Sequence, residues 1–480
     1  MWVFTVQGNN LGGGIFLFCF YNPAKGNKVI KFYAPFFFVL TIVLSGCGGG
    51  GGGGVSSAIN TGSNTLDPAG NTAGDSEENA AANGGSRASS EDDSSAVLFD
   101  PSAIIDVEII MDAGDWDDVR NQTRDLTKIF GPGCRAEPFF SPFTYFPATL
   151  IVDGEEIESV GVRKKGFLGS LDTQKPSLKI KFDEYVEDQE FMGMNRLTLN
   201  NNKQDRSQIR QCMAYSLFAG AGLPAPRCNF AQVSVNGQKL GLFSNVESIK
   251  KRFIARYFDD NEGRLYEGTL SDFAPNWINT FEAKTNKSDP DRSDLIAVQA
   301  ALQVPDEELK VALSKVINIE RFITYWALEA MINHGDGYAL NRNNFYIYND
   351  PSTGLFEFIP WGFDQVFKPF TKFGDSLLFV ESVLTRRLYQ LPETQQQYVT
   401  EVQNLFDSTW NEVKLLREID RMESLIGAIV NDEHAGDMFF DLAAEAETVR
   451  QFVRTRRAVL QSVLTEPPVF DEAPPVWPCD

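Results

Sequence analysis

Histidine is nearly absent from this 480-residue chain: His334 and His434 are the only two. A histidine-rich metal centre, or catalysis by two imidazoles, has almost nothing to be built from. Cysteine is sparse as well. Cys19, Cys47, Cys134, Cys212, Cys228 and Cys479 form no Cys-x-x-Cys pair and no zinc-ligand spacing. Positive charge is in deficit: 43 Lys and Arg face 65 Asp and Glu, a formal net charge of -22. That argues against nucleic acid as a partner, because phosphate backbones are held by Lys and Arg. It also gives no attraction to anionic lipid. Phenylalanine, with 38 residues, is abundant, and the length allows a large buried core.

The most apolar run near the N-terminus is short for a membrane span. Lys25, Lys28 and Lys31 precede an apolar stretch over residues 32–43, which closes on Leu44-Ser45-Gly46-Cys47. Residues 1–47 thus read as a bacterial export signal ending in a lipobox, with Cys47 lipidated as the mature N-terminus. A short transmembrane anchor is the alternative. Residues 1–24 sit upstream of this signal, as if the true start lay further in. Residues 48–96 open with unbroken glycine over 48–54 and continue in Ser, Asn, Asp, Glu and Ala. They read as a disordered, acidic tether. With Cys19 removed and Cys47 modified, four cysteines remain. Cys212 and Cys228 are the closest pair in sequence, and free buried thiols are the alternative.

Residues 97–247 read as a β-rich lobe with one longer helix over 205–217. Asp153-Gly154 and Asn236-Gly237 sit between strand-like runs and predict two hairpins. Gly161-Val162-Arg163-Lys164-Lys165-Gly166 leads into a loop between strands, whose backbone N–H groups can wrap phosphates. After it, Leu178, Ile180 and Phe182 alternate with Lys175, Lys179 and Lys181, so the lysines share the opposite face. That face is expected to be largely solvated, with one lysine free to meet a phosphate. Glu247 follows the second hairpin.

Residues 248–465 turn helical, and residues 466–480 form a proline-rich tail. A helix over 319–331 delivers the chain into Asn333-His334-Gly335-Asp336. Residues 345–348 and 355–359 are aromatic and β-branched, separated by Asp350-Pro351-Ser352-Thr353-Gly354, and so predict a hairpin. A hairpin returns the chain to its start. Asn344, at the entry, should therefore lie near Asp364, just past the exit, with Asp336 in the feeding loop. Two carboxylates and an amide oxygen suit Mg²⁺ and phosphate. The order is that of protein kinases: catalytic-loop Asp, metal-binding Asn, hairpin, metal-binding Asp. A plain polar turn would use the same residue types.

Taken together, Gly161-Val162-Arg163-x-Lys165-Gly166, Lys175-x-Ser177, Asp205-x-Ser207-x-x-Arg210, Val235-Asn236-Gly237, Glu247, Asn333-x-x-Asp336, Asn343-Asn344-Phe345-Tyr346 and Pro360-Trp361-x-x-Asp364 resemble the CotH family of atypical secreted protein kinases. The resemblance covers about residues 100–465. It implies an α+β, two-lobed kinase-like fold, with a β-rich N-lobe and a mainly helical C-lobe. It implies ATP and Mg²⁺ as cofactors and Ser or Thr of extracytoplasmic or surface proteins as acceptors. Lys175 would contact the ATP phosphates, with Lys179 as the fallback, and Arg163 and Gly166 would belong to the nucleotide loop. Glu247 would lie at the hinge between lobes. Asp336 would orient the acceptor hydroxyl, and Asn344 and Asp364 would hold Mg²⁺. Asn341, five residues after Asp336, rivals Asn344. The family often carries Trp-Asp-x-Asp where this chain has Trp361-Gly362-Phe363-Asp364. Trp361 is read as a packed residue beneath the site.

The implied setting is a lipoprotein of the cell envelope, at the outer membrane or surface, tethered through Cys47. Two other readings remain beside it. One is a membrane-tethered surface module of kinase fold that binds proteins without phosphotransfer; the other is an enzyme of that fold that transfers another part of a nucleotide.

Overall fold

A computed structural model describes residues 93–369 and 378–469. Cys47, the tether up to residue 92 and the tail from residue 470 lie outside the described residues.

Seven strands close a barrel. The chain runs β1 (Ile104–Ile110), α1 (Ala113–Asn121), α2 (Thr127–Phe130), β2 (Phe146–Val152), β3 (Glu155–Lys164), β4 (Leu178–Lys181), β5 (Arg196–Asn200), α3 (Arg210–Gly220), β6 (Cys228–Val235) and β7 (Gln238–Val246). The strand order is β1-β2-β3-β4-β5-β7-β6, and a parallel pairing of β6 with β1 shuts the barrel. Both predicted hairpins form. Asp153-Gly154 and Asn236-Gly237 each have positive φ at both positions, the backbone that a two-residue turn between right-twisted strands requires. Val107, Leu150, Val162, Ile180, Leu197, Val233 and Phe243 fill the interior.

Two local expectations are corrected. The lysine face of β4 is not simply solvated: Lys181 is 3% exposed. The turn after β4 folds Glu184 back, to 3.0 Å from the Lys181 ammonium. The helix expected from residue 205 starts only at Arg210. The Asp205 carboxylate takes the N–H groups of Ser207 and Arg210, and Gln208 adopts φ 60. Side-chain acceptors of this kind compete with helical hydrogen bonding.

The second half runs α4 (Lys251–Tyr257), β8 (Arg264–Gly268), β9 (Glu282–Ala283), α5 (Ser293–Ala301), α6 (Asp306–Leu313), α7 (Ile319–Ile332), α8 (Tyr338–Asn341), β10 (Phe345–Asp350), β11 (Leu355–Pro360), α9 (Val383–Tyr389), α10 (Pro392–Ser408), α11 (Glu412–Glu433) and α12 (Leu442–Thr465). Its strands form a second sheet in the order β11-β10-β8-β9. Asn318 caps α7 by accepting from the Arg321 N–H. Ile319, Phe322, Ile323 and Trp326 are all buried, as their spacing demands.

The larger core ignores the boundary at residue 247. Tyr215 and Phe218 of α3, Phe230 of β6 and Leu242 of β7 pack in one cluster with α7, β10, β11 and α10–α12. A Cys212–Cys228 disulfide ties α3 to the start of β6. The fold is α+β, a β-rich lobe followed by a mainly helical one. Among the described residues, no helix is long and apolar enough to cross a membrane.

Candidate active site

The β10–β11 hairpin joins its own two ends. Phe345 pairs with Pro360, so Asn344 and Gly362 meet just beyond the ladder. Gly362 has φ 66, and a Cβ there would stand 2.5 Å from Asn344 Oδ1. Glycine supplies both the backbone and the room. Asn344 itself sits at φ 54, a left-handed conformation that Asn tolerates.

Asp336 is the hub. Asn344 Nδ2 donates to Asp336 Oδ2 at 2.8 Å and to the Asp336 carbonyl at 3.1 Å. Asn341 Nδ2 donates to Asp336 Oδ1 at 2.5 Å. Both rival amides therefore converge on one carboxylate. Asp364, half-buried beside them, has its carboxyl pushed up to about 6. Burial is the main cause, with the Asp336 and Asp205 charges adding to it and Lys165 acting against it.

The opposing wall comes from the barrel. Lys165 donates to Asn200 Oδ1, and its ammonium lies 5.5 Å from the Trp361 ring. Burial pulls Lys165 down to about 8, while the Glu267 and Asp364 charges hold it up. Gly166 has φ 128 and offers its carbonyl to Arg124 Nε at 2.9 Å. Arg163 is buried and donates to Ser141 Oγ at 2.5 Å. Lys179 lies within the field of Glu267, a β8 carboxylate 2.5 Å from the Lys284 ammonium. Burial works to raise the Glu267 carboxyl, yet Lys284, Lys179 and the Tyr346 hydroxyl hold it below the ordinary carboxylate range.

Other sequence-selected residues lie in other company. The Lys175 ammonium is 2.5 Å from Glu433 Oε1 on α11. Glu247 is 1% exposed, its carboxylate bound by Arg256 and Arg227. Trp361 is half-buried, against Tyr215 and Tyr346.

Sequence reasoning missed the groups that hold the Asp336 loop. Glu329, fully buried on α7, accepts from Tyr325 Oη at 3.0 Å, from the Tyr338 N–H at 2.9 Å and from the Ala339 N–H at 2.8 Å. A Cβ on Gly337 would stand 2.1 Å from Glu329 Oε1. Arg456 of α12 caps the end of α7 through the Met331 and Ala330 carbonyls. One signal was available: Glu329 is a lone carboxylate on the apolar face marked by Phe322 and Trp326.

Residues 162–460 match the CotH kinase protein family. Inner spore coat protein H of Bacillus subtilis is 24% identical over 206 residues, covering 40% of this chain and 55% of the relative. Invasin CotH2 of Rhizopus delemar is 24% identical over 190 residues, covering 36% of this chain and 32% of that protein. The matches thus span about half of the first relative and a third of the second. Among solved structures, the Helicobacter pylori proinflammatory kinase CtkA aligns with 64% of this chain and 96% of its own, at 11% identity and a TM-score of 0.30. Shewanella oneidensis HipA, in its complex with HipB and operator DNA, aligns with 75% and 73%, at 12% identity and the same TM-score. Those two superpositions set no residue correspondence. The family match covers more than half of the chain and contains Arg163, Lys165, Asp336, Asn344 and Asp364, and the chain belongs to the CotH kinase protein family.

Proposed function

We propose that this chain transfers the γ-phosphate of ATP, with Mg²⁺, to Ser or Thr hydroxyls of extracytoplasmic or surface proteins. The observation that carries the reading is the cluster of Asp336, Asn344 and Asp364 facing the Lys165 ammonium. The donor set fits a hard divalent ion. Asp364 is held half-buried among the negative charges of Asp336 and Asp205, which a cation would offset. Among the described residues no cluster of three or more His, Cys, Asp and Glu is spaced to hold a metal. Mg²⁺ would therefore rest on Asp364, the Asn344 amide oxygen and phosphate oxygens, as suits an ion that keeps much of its shell. When bound, it supplies charge neutralisation at the β- and γ-phosphates.

The chain's own groups do the rest. Lys165 supplies the positive charge that a phosphate chain needs, and the engagement of Lys175 by Glu433 supports Lys165 over Lys175 for that role. Arg163, Lys179 and the Gly166 loop line the same wall. Asp336, held by two amides, orients the acceptor hydroxyl and takes its proton as the oxygen bonds to the γ-phosphorus and the bond to ADP breaks. The spore-coat and invasin names of the two relatives support a place at a surface. A lipid at Cys47 would tether the enzyme there.

Calorimetric MgATP titration beside a radiolabel transfer assay to a Ser/Thr-rich protein tests this. Asp364→Ala should abolish both binding and transfer. Asp336→Ala should keep binding and lose transfer by orders of magnitude. If both variants bind MgATP as wild type does, the metal assignment is wrong. If wild type binds none, the chain is a tethered surface-binding module.

A further inference from the structure

We infer that Glu433, at the C-terminal end of α11, is a positioning residue that fixes in place the glycine-containing loop of residues 165–177, which opens on Lys165. The consequence for nucleotide affinity rests on the function proposed above.

The loop is anchored along its own length. Lys165 N–H donates to the Ser177 carbonyl at 2.8 Å. Asn201 Nδ2 donates to the carbonyls of Ser170 and Lys175 at 3.0 and 2.7 Å, and Asp172 Oδ1 accepts the Lys175 N–H. Its return limb is then fastened from outside the barrel. Glu433 Oε1 meets the Lys175 ammonium at 2.5 Å, and its Oε2 accepts the Leu242 N–H of β7 at 2.9 Å. The notch that admits the carboxylate is Gly241: at φ 97, it leaves no room for a Cβ, which would stand 2.1 Å from Glu433 Oε2. Most of the Glu433 and Lys175 side chains is out of water. A charge-assisted contact in such surroundings is stronger than a surface pair.

The same corner of the helical lobe grips the neighbouring wall. Arg206 donates to Glu445 Oε1 at 2.6 Å and to the Phe439 carbonyl at 2.8 Å, and lies over the Phe440 ring, on which His434 stacks. The corner between α11 and α12 thus holds two barrel segments. One carries Lys165 and the other Asp205. The charges of both act on Asp364. Displacing the corner should shift the phosphate-facing wall without touching Asp336 or Asp364.

Two measurements test this on the full chain. The first is amide hydrogen exchange without nucleotide. Glu433→Ala should speed exchange in residues 165–178 by about tenfold, and Glu433→Gln, which keeps an acceptor for Leu242, by less. The second is MgATP affinity. Glu433→Ala should weaken it by about tenfold, within the usual range for coupling between remote groups. Lys175→Glu with Glu433→Lys should recover part of what Glu433→Lys alone loses. A Glu433→Ala protein with a lowered melting temperature but unchanged exchange in 165–178 would overturn the inference. So would unchanged MgATP affinity, or a charge swap that recovers nothing. If wild type binds no MgATP, the proposed function fails and the exchange experiment alone decides the role of Glu433.

Discussion

Removing Glu329 should release the Asp336 loop while leaving every proposed catalytic group in the sequence. Glu329 is fully buried and accepts three hydrogen bonds, two of them from backbone N–H groups at the start of α8. Glu329→Ala strands those donors in the core. Each unsatisfied buried donor costs roughly 1–3 kcal/mol, and a cavity adds to that. A total loss of about 3–5 kcal/mol follows. Glu329→Gln keeps an acceptor for Tyr325 and Tyr338 but turns an amide NH₂ toward the Ala339 N–H, for roughly 1–3 kcal/mol. Gly337→Ala should also destabilise, because its methyl would meet Glu329 Oε1. In the Glu329→Ala background the clash with the carboxylate is gone and only the approach to His334 Nδ1, at 2.5 Å, remains. The two single losses should then exceed the double by on the order of 1–2 kcal/mol. Urea unfolding monitored by near-UV circular dichroism reads wild type and the four variants. A Glu329→Ala midpoint equal to wild type, or strict additivity with Gly337→Ala, would refute the reasoning.

Lys165 should titrate well below an ordinary lysine, with a midpoint near 8, because burial disfavours its ammonium form. ¹³C-methylated lysine NMR reads this, and a Lys165 midpoint near the ordinary value of about 10.5 would contradict it. Trp361→Ala should cost about 2–3 kcal/mol, less than the roughly 3–5 of a fully buried Trp, since the ring is half-buried. An unchanged melting temperature with lost nucleotide binding would make Trp361 a ligand contact instead. Cys47→Ala should abolish lipidation, and mass spectrometry finding residues 1–47 intact on the mature wild-type protein would remove that expectation.

Local chemistry made much of the fold readable from sequence alone. Asp-Gly and Asn-Gly turns between alternating strands need only short-range backbone geometry, so their hairpins were legible. The β10–β11 hairpin was legible for the same reason, and with it the approach of Asn344, Asp364 and Asp336. Asn341 and Asn344, the rival metal ligands of the sequence reading, both donate to Asp336, a convergence that spacing along the chain does not show.

Long-range packing decided the rest. Lys165 and Lys175 are ten residues apart on one loop, and no periodicity separates them. Only the arrival of Glu433, 258 residues beyond Lys175, claims one ammonium, while the other donates to Asn200 within the field of Glu267 and Asp364. The late start of α3 depends on where the Asp205 side chain turns. Lys181 is buried because the next turn folds back over it. Pattern along the chain reports which face is apolar. Which charges end up paired depends on segments that meet only when the chain is folded.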